Sequence, residues 1–223
     1  MLDLASLKAR GSLFFLRHGQ SQGNHSRIIQ GRGDYPLSDK GGEQSLRAAE
    51  WFKGQGIELV LTSPLARARE TARIVAETLG LAGAEVHEDL TELDTGIFTG
   101  LPMEELQAAF PEPWRRFQQE SWEGVPGAER IAQLAERCER TWGHLLRLLD
   151  SGKSNILSVT HSGILQWIIK VTLGQRTWMP LFPVANCGIC HFRLDNRFAG
   201  DFTRVYSEWV HWSLLPAASQ EET

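Results

Sequence analysis

Cysteine is scarce in this chain: Cys138, Cys187 and Cys190 are the only three in 223 residues. A sparse, odd set excludes a disulfide framework and fits a reducing compartment. Cys187 and Cys190 have the spacing of a redox or metal pair. No second pair completes a metal site, and the two open an apolar, strand-like segment, so packing outweighs the redox reading. A basic surplus is also missing. Lys plus Arg number 23 against 27 Asp plus Glu, for a net charge of -4. Nucleic acid and anionic membrane are therefore not expected partners, and any anion site must be a local basic pocket. No apolar run reaches membrane length, and the opening MLDLASLKARGS lacks the apolar stretch of a secretion signal. Without export the sequon at Asn24-His25-Ser26 has no meaning, and a cytoplasmic location is expected. No repeat, low-complexity tract or linker divides the sequence, so a single domain over residues 1–223 is expected, with flexible ends near 1–11 and 216–223. At 42% hydrophobic content, a chain of this length can bury a sizeable core without staples.

What is present begins at residues 13–24, LFFLRHGQSQGN. Four apolar residues, Leu13, Phe14, Phe15 and Leu16, run into Arg17-His18-Gly19. A continuous apolar run ended by glycine and polar residues reads as a buried strand of a parallel sheet. Such a strand delivers Arg17 and His18 to its C-terminal end, where ligands bind in open α/β sheets. Gly19 permits a sharp turn and a close approach to a ligand. The guanidinium fork suits a pair of phosphate oxygens, and a neutral imidazole beside it suits a nucleophile or base. Taken alone, the tripeptide reads equally well as a polar strand end.

The rest of the chain repeats this logic. A turn-rich stretch around Gly31, Asp34, Tyr35 and Pro36 leads to Ser38 or Asp39 as the cap of a helix to about Lys53, with Leu46, Ala49, Trp51 and Phe52 on its buried face. Residues 57–61 form a second β-type run. It ends at Ser63-Pro64, where serine caps and proline opens a helix to Leu79. Arg67 falls in that helix's first turn, where free N–H groups attract anions, while Arg69 and Arg73 read as a solvated face. A short strand over 86–90 precedes a glycine-punctuated loop carrying Glu92 and Asp94. Residues 103–123 are helical, rich in tryptophan and broken by Pro111 and Pro113. A turn at 125–129 starts a long helix to Leu149, with Leu134, Cys138, Trp142, Leu145, Leu146 and Leu149 as its buried stripe. Residues 155–160 form the third core strand, ending at His161-Ser162-Gly163 before an apolar helix to Gly174. Residues 184–194 and 202–212 read as an antiparallel or edge pair of strands. Two histidines and two arginines at strand ends and helix starts are hard to assign to chance.

These motifs resemble those of the histidine phosphatase superfamily, in its phosphoglycerate mutase-like branch. Arg17-His18-Gly19 with Ser21 and Asn24 is similar to RHGxSxxN. Gly31, Asp34, Pro36, Leu37, Ser38, Gly41 and Gln44 are similar to GxxDxPLSxxGxxQ. Ser63-Pro64-Leu65, Arg67-Ala68 and Thr71-Ala72 are similar to SPLxRAxxTA. Leu90, Glu92, Gly96 and Gly100 resemble the acid loop. Gly127-Ala128-Glu129 resembles a GGE turn with alanine in second place, residues 159–163 a VTHGG strand end with Ser162 for the first glycine, and residues 186–189 the last strand. The resemblance implies an α/β fold, a three-layer α/β/α sandwich with a mostly parallel central sheet.

It also implies roles. His18 is the nucleophile that becomes phosphohistidine. Arg17, Arg67 and a protonated His161 surround the phosphoryl group, with Asn24 as a further donor and Ser162 beside them. Glu92 gives a proton to the leaving oxygen and then activates water; Asp94 is the rival acid. Two arginines and a histidine supply the charge stabilisation that phosphoryl transfer needs without metal or other cofactor. The implied activity is hydrolysis of a small phosphorylated metabolite. The chain lacks the long basic insert that family mutases resemble one another in after the acid loop, and Gly23 stands where they carry tryptophan. A cofactor-dependent phosphoglycerate mutase is the runner-up, and a non-catalytic phospho-ligand binder on the same fold the third reading. The span between Glu92 and Glu129 offers Trp114, Trp122, Arg115 and Arg116 as lid residues at the substrate entrance, with ordinary packing an equal reading for the tryptophans. The expected partner is the small phosphorylated substrate, and a homodimer is left open.

Overall fold

The computed structural model describes residues 10–178 and 184–195, and the backbone of 206–214. The elements run β1 (Gly11–Arg17), α1 (Gln22–His25), α2 (Asp39–Phe52), β2 (Leu59–Thr62), α3 (Ala66–Thr78), β3 (Glu85–Val86), α4 (Leu106–Ala109), α5 (Pro111–Glu120), α6 (Ile131–Asp150), β4 (Asn155–Thr160), α7 (Ser162–Thr172), β5 (Ile189–Asp195) and β6 (Tyr206–Leu214). Short 3₁₀ turns at Glu88–Leu90, Gly96–Phe98, Met103–Glu105 and Ser121–Gly124 lie between β3 and α6. Six strands form one sheet in the order β3-β2-β4-β1-β5-β6. β1 pairs parallel to β4, β4 to β2 and β2 to β3, whereas β5 runs antiparallel to both β1 and β6.

Alternation along β1 explains the layers. Leu13 and Phe15 point to one side and join Trp142, Leu145, Ile164 and Ile168 of α6 and α7. Phe14 and Leu16 point to the other and join Ala48, Phe52, Ala72 and Val75 of α2 and α3. Both faces of the sheet are covered, which is why the core strands read as unbroken apolar runs. The result is the expected three-layer sandwich. The α6 stripe from Leu134 to Leu149 is buried as its spacing predicts, and Trp142 also donates from Nε1 to the Ile168 carbonyl at 2.9 Å. A third, smaller cluster of Phe98, Leu106, Val125 and Ala128 gathers Phe110, Trp114, Phe117 and Trp122 around it. All three cysteines are buried and none is in a disulfide, and burial pushes the Cys187 thiol up to about 12. Among the described residues no helix is long and apolar enough to cross a membrane.

Several local expectations are corrected. Leu46 does not belong to the buried face of α2: it is 52% exposed, and Ser45, Ala48 and Ala49 take that face. Ser63 does not cap α3. That helix opens at Ala66, whose N–H is held by Asp34 Oδ1 at 2.7 Å across the sheet end. The expected break falls at the first proline alone: α4 ends at Ala109, Phe110 leaves the helical conformation, and a new helix starts at Pro111. Pro111 is the first residue of α5 and Pro113 lies in its first turn, where N–H groups have no intrahelical acceptor to lose. The 86–90 strand is shorter than expected and gives way to a 3₁₀ turn. Gly19 is not at a positive φ; an added Cβ would stand 2.4 Å from the Gly41 carbonyl, so the glycine lets α2 pack against the strand end. The lead-in begins the sheet at Gly11, and residues 1–9 and 215–223 lie outside the described part, as do residues 202–205 of the expected 202–212 strand.

Candidate active site

Parallel register brings the two histidines together. Arg17 pairs with Thr160, so the residues that follow, His18 and His161, leave adjacent strand ends side by side. The His18 N–H donates to the Thr160 carbonyl at 2.9 Å, and the two rings lie 5.0 Å apart. β2 ends next to β4, which sets Ser63 beside His161. Three strand ends thus meet at one crevice, 143 positions apart in sequence between the two histidines.

The protonation pattern follows from the partners. His18 Nδ1 lies 2.6 Å from the Gly19 carbonyl oxygen. A carbonyl only accepts, so Nδ1 carries the hydrogen and Nε2 keeps its lone pair. Burial, then the charges of Arg17 and Arg67, hold the His18 imidazole well below its usual range, so it is neutral at pH 7. His161 shows the opposite tautomer. Arg67 Nε donates to His161 Nδ1 at 3.2 Å, which leaves the hydrogen on Nε2, donated to Ser63 Oγ at 2.7 Å. Burial and the neighbouring His18, Arg67 and Arg17 push His161 well below its usual range. The expected protonated His161 is therefore corrected to a neutral ring in the free protein. It is fully buried behind Arg67 and is not among the residues lining the cavity.

Arg67 is fastened at three nitrogens: to His161, to the Gly33 carbonyl at 2.7 Å and to the Gly31 carbonyl at 2.9 Å. Arg17 is less committed. One terminal nitrogen donates to the Val184 carbonyl at 2.5 Å, while Nε is buried with no partner. A buried guanidinium donor without an acceptor is a place for an anion oxygen. Burial lowers the pKa of both arginines, and the charge of Glu92 works against that loss. Asn24 Oδ1 accepts from the Ser21 N–H at 3.1 Å and from Asn186 Nδ2 at 3.3 Å. That leaves its own amide nitrogen to donate toward the cavity it lines.

Glu92 is held from behind by backbone. One carboxylate oxygen accepts from the Leu93 and Ile164 N–H groups at 2.8 and 2.9 Å, the other from Gly163 at 3.2 Å. Its neighbour Asp94 instead caps the next turn, accepting from the Gly96 N–H at 2.9 Å, and does not line the cavity that Glu92 lines. A cavity of about 230 Å³ opens over Arg17, His18, Asn24, Arg67, Glu92 and Trp122. Trp122 therefore both packs in the small cluster and lines the site. Trp114 stacks on Phe117 at 5.6 Å and is not part of the lining. Nor are Arg115 and Arg116, which are exposed and paired with Glu112 and Glu120 of their own helix. Ser162 is the first residue of α7, and Gly163 rather than Ser162 faces the cavity.

Some contributors carry no role in the sequence reading. Arg137 of α6 is buried and clasps Glu129 with two bonds of 2.8 and 2.6 Å. Its remaining nitrogen donates to the Asp89 and Thr91 carbonyls, the residues leading into Glu92. Arg32 adds a second tie, to the Glu92 carbonyl at 3.3 Å and Glu129 at 3.1 Å. This network holds the loop that carries Glu92. The Gly127-Ala128-Glu129 turn was a signal for Glu129, but nothing local marks Arg137 as its partner. Among the described residues no group of three or more His, Cys, Asp or Glu side chains gathers as metal ligands.

An α/β sheet that ends in a neutral histidine, two guanidiniums and a backbone-held carboxylate defines a protein built to handle a phosphoryl group. Comparison with known sequences agrees. The profile of the histidine phosphatase superfamily, branch 1, matches residues 13–200, and the chain belongs to that superfamily. It is 34% identical over 164 residues to "Probable phosphoglycerate mutase GpmB" of Yersinia enterocolitica, covering 73% of this chain and 74% of that one. The protein of the same description from Salmonella paratyphi B is 30% identical over 180 residues, covering 79% and 82%. Among solved structures, a mycobacterial glucosyl-3-phosphoglycerate phosphatase superposes with a TM-score of 0.75 at 24% identity, over 91% of this chain and 99% of that one. The alpha-ribazole phosphatase of Shigella flexneri gives 0.73 at 24% identity, over 89% and 95%. At such identity the two structures speak for the fold.

Proposed function

We propose that the protein is a metal-independent phosphomonoester hydrolase that acts through a phosphohistidine on a small phosphorylated metabolite. The observation that carries this reading is the His18 tautomer: Nδ1–H is spent on the Gly19 carbonyl, and the free Nε2 belongs to a buried, neutral ring in the cavity. Nε2 attacks phosphorus while the ester oxygen leaves, taking a proton from Glu92. The resulting carboxylate then removes a proton from water as that water attacks the phosphohistidine, releasing phosphate and restoring His18. Arg17, through its unpartnered Nε, and Arg67 face the charge on the equatorial oxygens, and Asn24 adds a neutral donor. His161 braces Arg67 rather than touching the phosphoryl group. The neighbours described as phosphatases lend the reading support.

A phosphoglycerate mutase is the second reading, favoured by the description of the relatives at 30–34% identity. Against it, Arg115 and Arg116 are tied to Glu112 and Glu120, so the α5 segment offers the cavity no cation for a second acidic group of a substrate. Phosphate release from a panel of phosphomonoesters in EDTA, for wild type and His18→Ala, decides between them. Release that falls by roughly 10³-fold or more in the variant is expected. Full activity in His18→Ala overturns the mechanism. Isomerisation of 3-phosphoglycerate on addition of 2,3-bisphosphoglycerate, without phosphate release, would establish the mutase.

A further inference from the structure

A second cavity, also about 230 Å³, adjoins the first. Leu93, Gly163 and Trp122 line both. Leu93 and Gly163 are two of the three residues whose N–H groups hold the Glu92 carboxylate, so the two spaces meet beside that carboxylate. The second space thus adjoins the one in which a leaving oxygen would take its proton from Glu92.

The walls are aromatic. Trp122, Trp167 and Trp178 line it, and the last two meet edge to face at 5.2 Å. Indole faces favour a flat ring. One lining residue is charged. Lys170 is only 3% exposed. Buried ammonium groups are nearly always paired with an acid. Among the described residues Lys170 has none: Nζ donates to the Thr177 carbonyl at 2.9 Å and stands 4.5 Å over the Trp167 ring. Trp178 brings a second donor, an Nε1–H buried without an acceptor. The lining holds one cation and no carboxylate. An ammonium without an acid partner and an indole N–H without an acceptor, in a slot lined by three tryptophans, describe the complement of a ring that carries an anion.

Building on the hydrolase reading, we propose that this cavity is the leaving-group subsite, and that the substrate is a phosphomonoester whose alcohol carries a flat ring bearing a carboxylate. The phosphoryl group lies over His18, the bridging oxygen meets Glu92, the ring lies among the three tryptophans and the carboxylate meets Lys170 and the Trp178 N–H.

The test compares kcat/KM for phenyl phosphate and 4-carboxyphenyl phosphate in wild type, Lys170→Met and Trp178→Phe. A wild-type preference of about tenfold for the carboxylated ester is expected, the worth of one hydrogen bond to a charged group. In Lys170→Met the ratio falls to about that of the two esters' intrinsic reactivity. In Trp178→Phe, which keeps the ring and removes only the donor, it falls by about threefold, so the proposal stays testable if Lys170→Met does not fold. No wild-type preference, or a preference kept in both variants, overturns the subsite while leaving the hydrolase reading intact. If neither ester releases phosphate, the hydrolase reading fails and the subsite falls with it.

Discussion

Alanine at position 163 would press on the acid without altering it. A Cβ built on Gly163 stands 2.6 Å from Glu92 Oε1 and 3.2 Å from Leu93 Cβ, where ordinary contact begins at 3.4 Å. The carboxylate must therefore retreat by about 0.8 Å, and its bonds to the Gly163 and Ile164 N–H groups stretch with it. Misplacement on the order of 1 Å in a reacting group costs roughly 100-fold in rate. Position 163 lies in the first turn of α7, and alanine is favoured over glycine in a helix by about 1 kcal/mol. The helical gain and the contact largely offset one another in stability. The expected protein is thus folded and slow. Steady-state release from an alkyl phosphate should fall by about 100-fold. The first turnover of 4-nitrophenyl phosphate should change by no more than about threefold, since nitrophenolate leaves without a proton. A variant that keeps full activity on the alkyl ester would refute the placement of Glu92. Equal losses on both esters would refute its role as the acid.

Other outcomes follow from the same geometry. Arg137→Met leaves Glu129 buried without its clasp, with both side chains 7% exposed in the native pair. Breaking a buried pair costs about 3–5 kcal/mol, so thermal or urea melts should show a loss of that order. Activity in the folded fraction should fall as well, because the Asp89 and Thr91 carbonyls before Glu92 lose their donor; a melt within about 1 kcal/mol of wild type would contradict the network. The two neutral histidines make stability depend on pH. In the unfolded chain they take up protons near pH 6.5, whereas in the fold both pKa values are depressed. The unfolded state thus binds more protons below that pH, and stability is lost as pH falls through about 6.5, by up to about 1.4 kcal/mol per unit for each ring. Urea melts between pH 7.5 and 5.5 should show this decline and a shallower one in His161→Asn; a flat profile in wild type would mean the rings are not buried neutral.

The outline of this protein is a local property of its sequence. An apolar run that ends in Arg17-His18-Gly19, and another that ends in Thr160-His161-Ser162, are strands buried on both faces because nothing polar interrupts them. Arg67 in the first turn after β2 is equally local, and the ordered motifs name the family. Those features mark the candidate phosphoryl site before any contact is known. What only the tertiary structure decided are matters of pairing between distant parts of the chain. Which nitrogen of His161 carries the hydrogen depends on Arg67 and Ser63, 94 and 98 positions away. The cap of α3 comes from Asp34, not from the serine beside it, because the loop after β1 folds over that helix end. Trp114, Arg115 and Arg116 share one short helix with no local cue to which side faces the cavity. The small cluster around Phe98 turns Trp114 inward and leaves the arginines to their own glutamates. The unpaired charge of Lys170 is visible only once the chain closes around it, since a lysine in an apolar helix looks like any other until its neighbours prove to be tryptophans with no acid among them. Backbone pattern is written in adjacent residues, but proton positions, ion pairs and cavities are set by side chains that meet only after folding, and no adjacent residue encodes them.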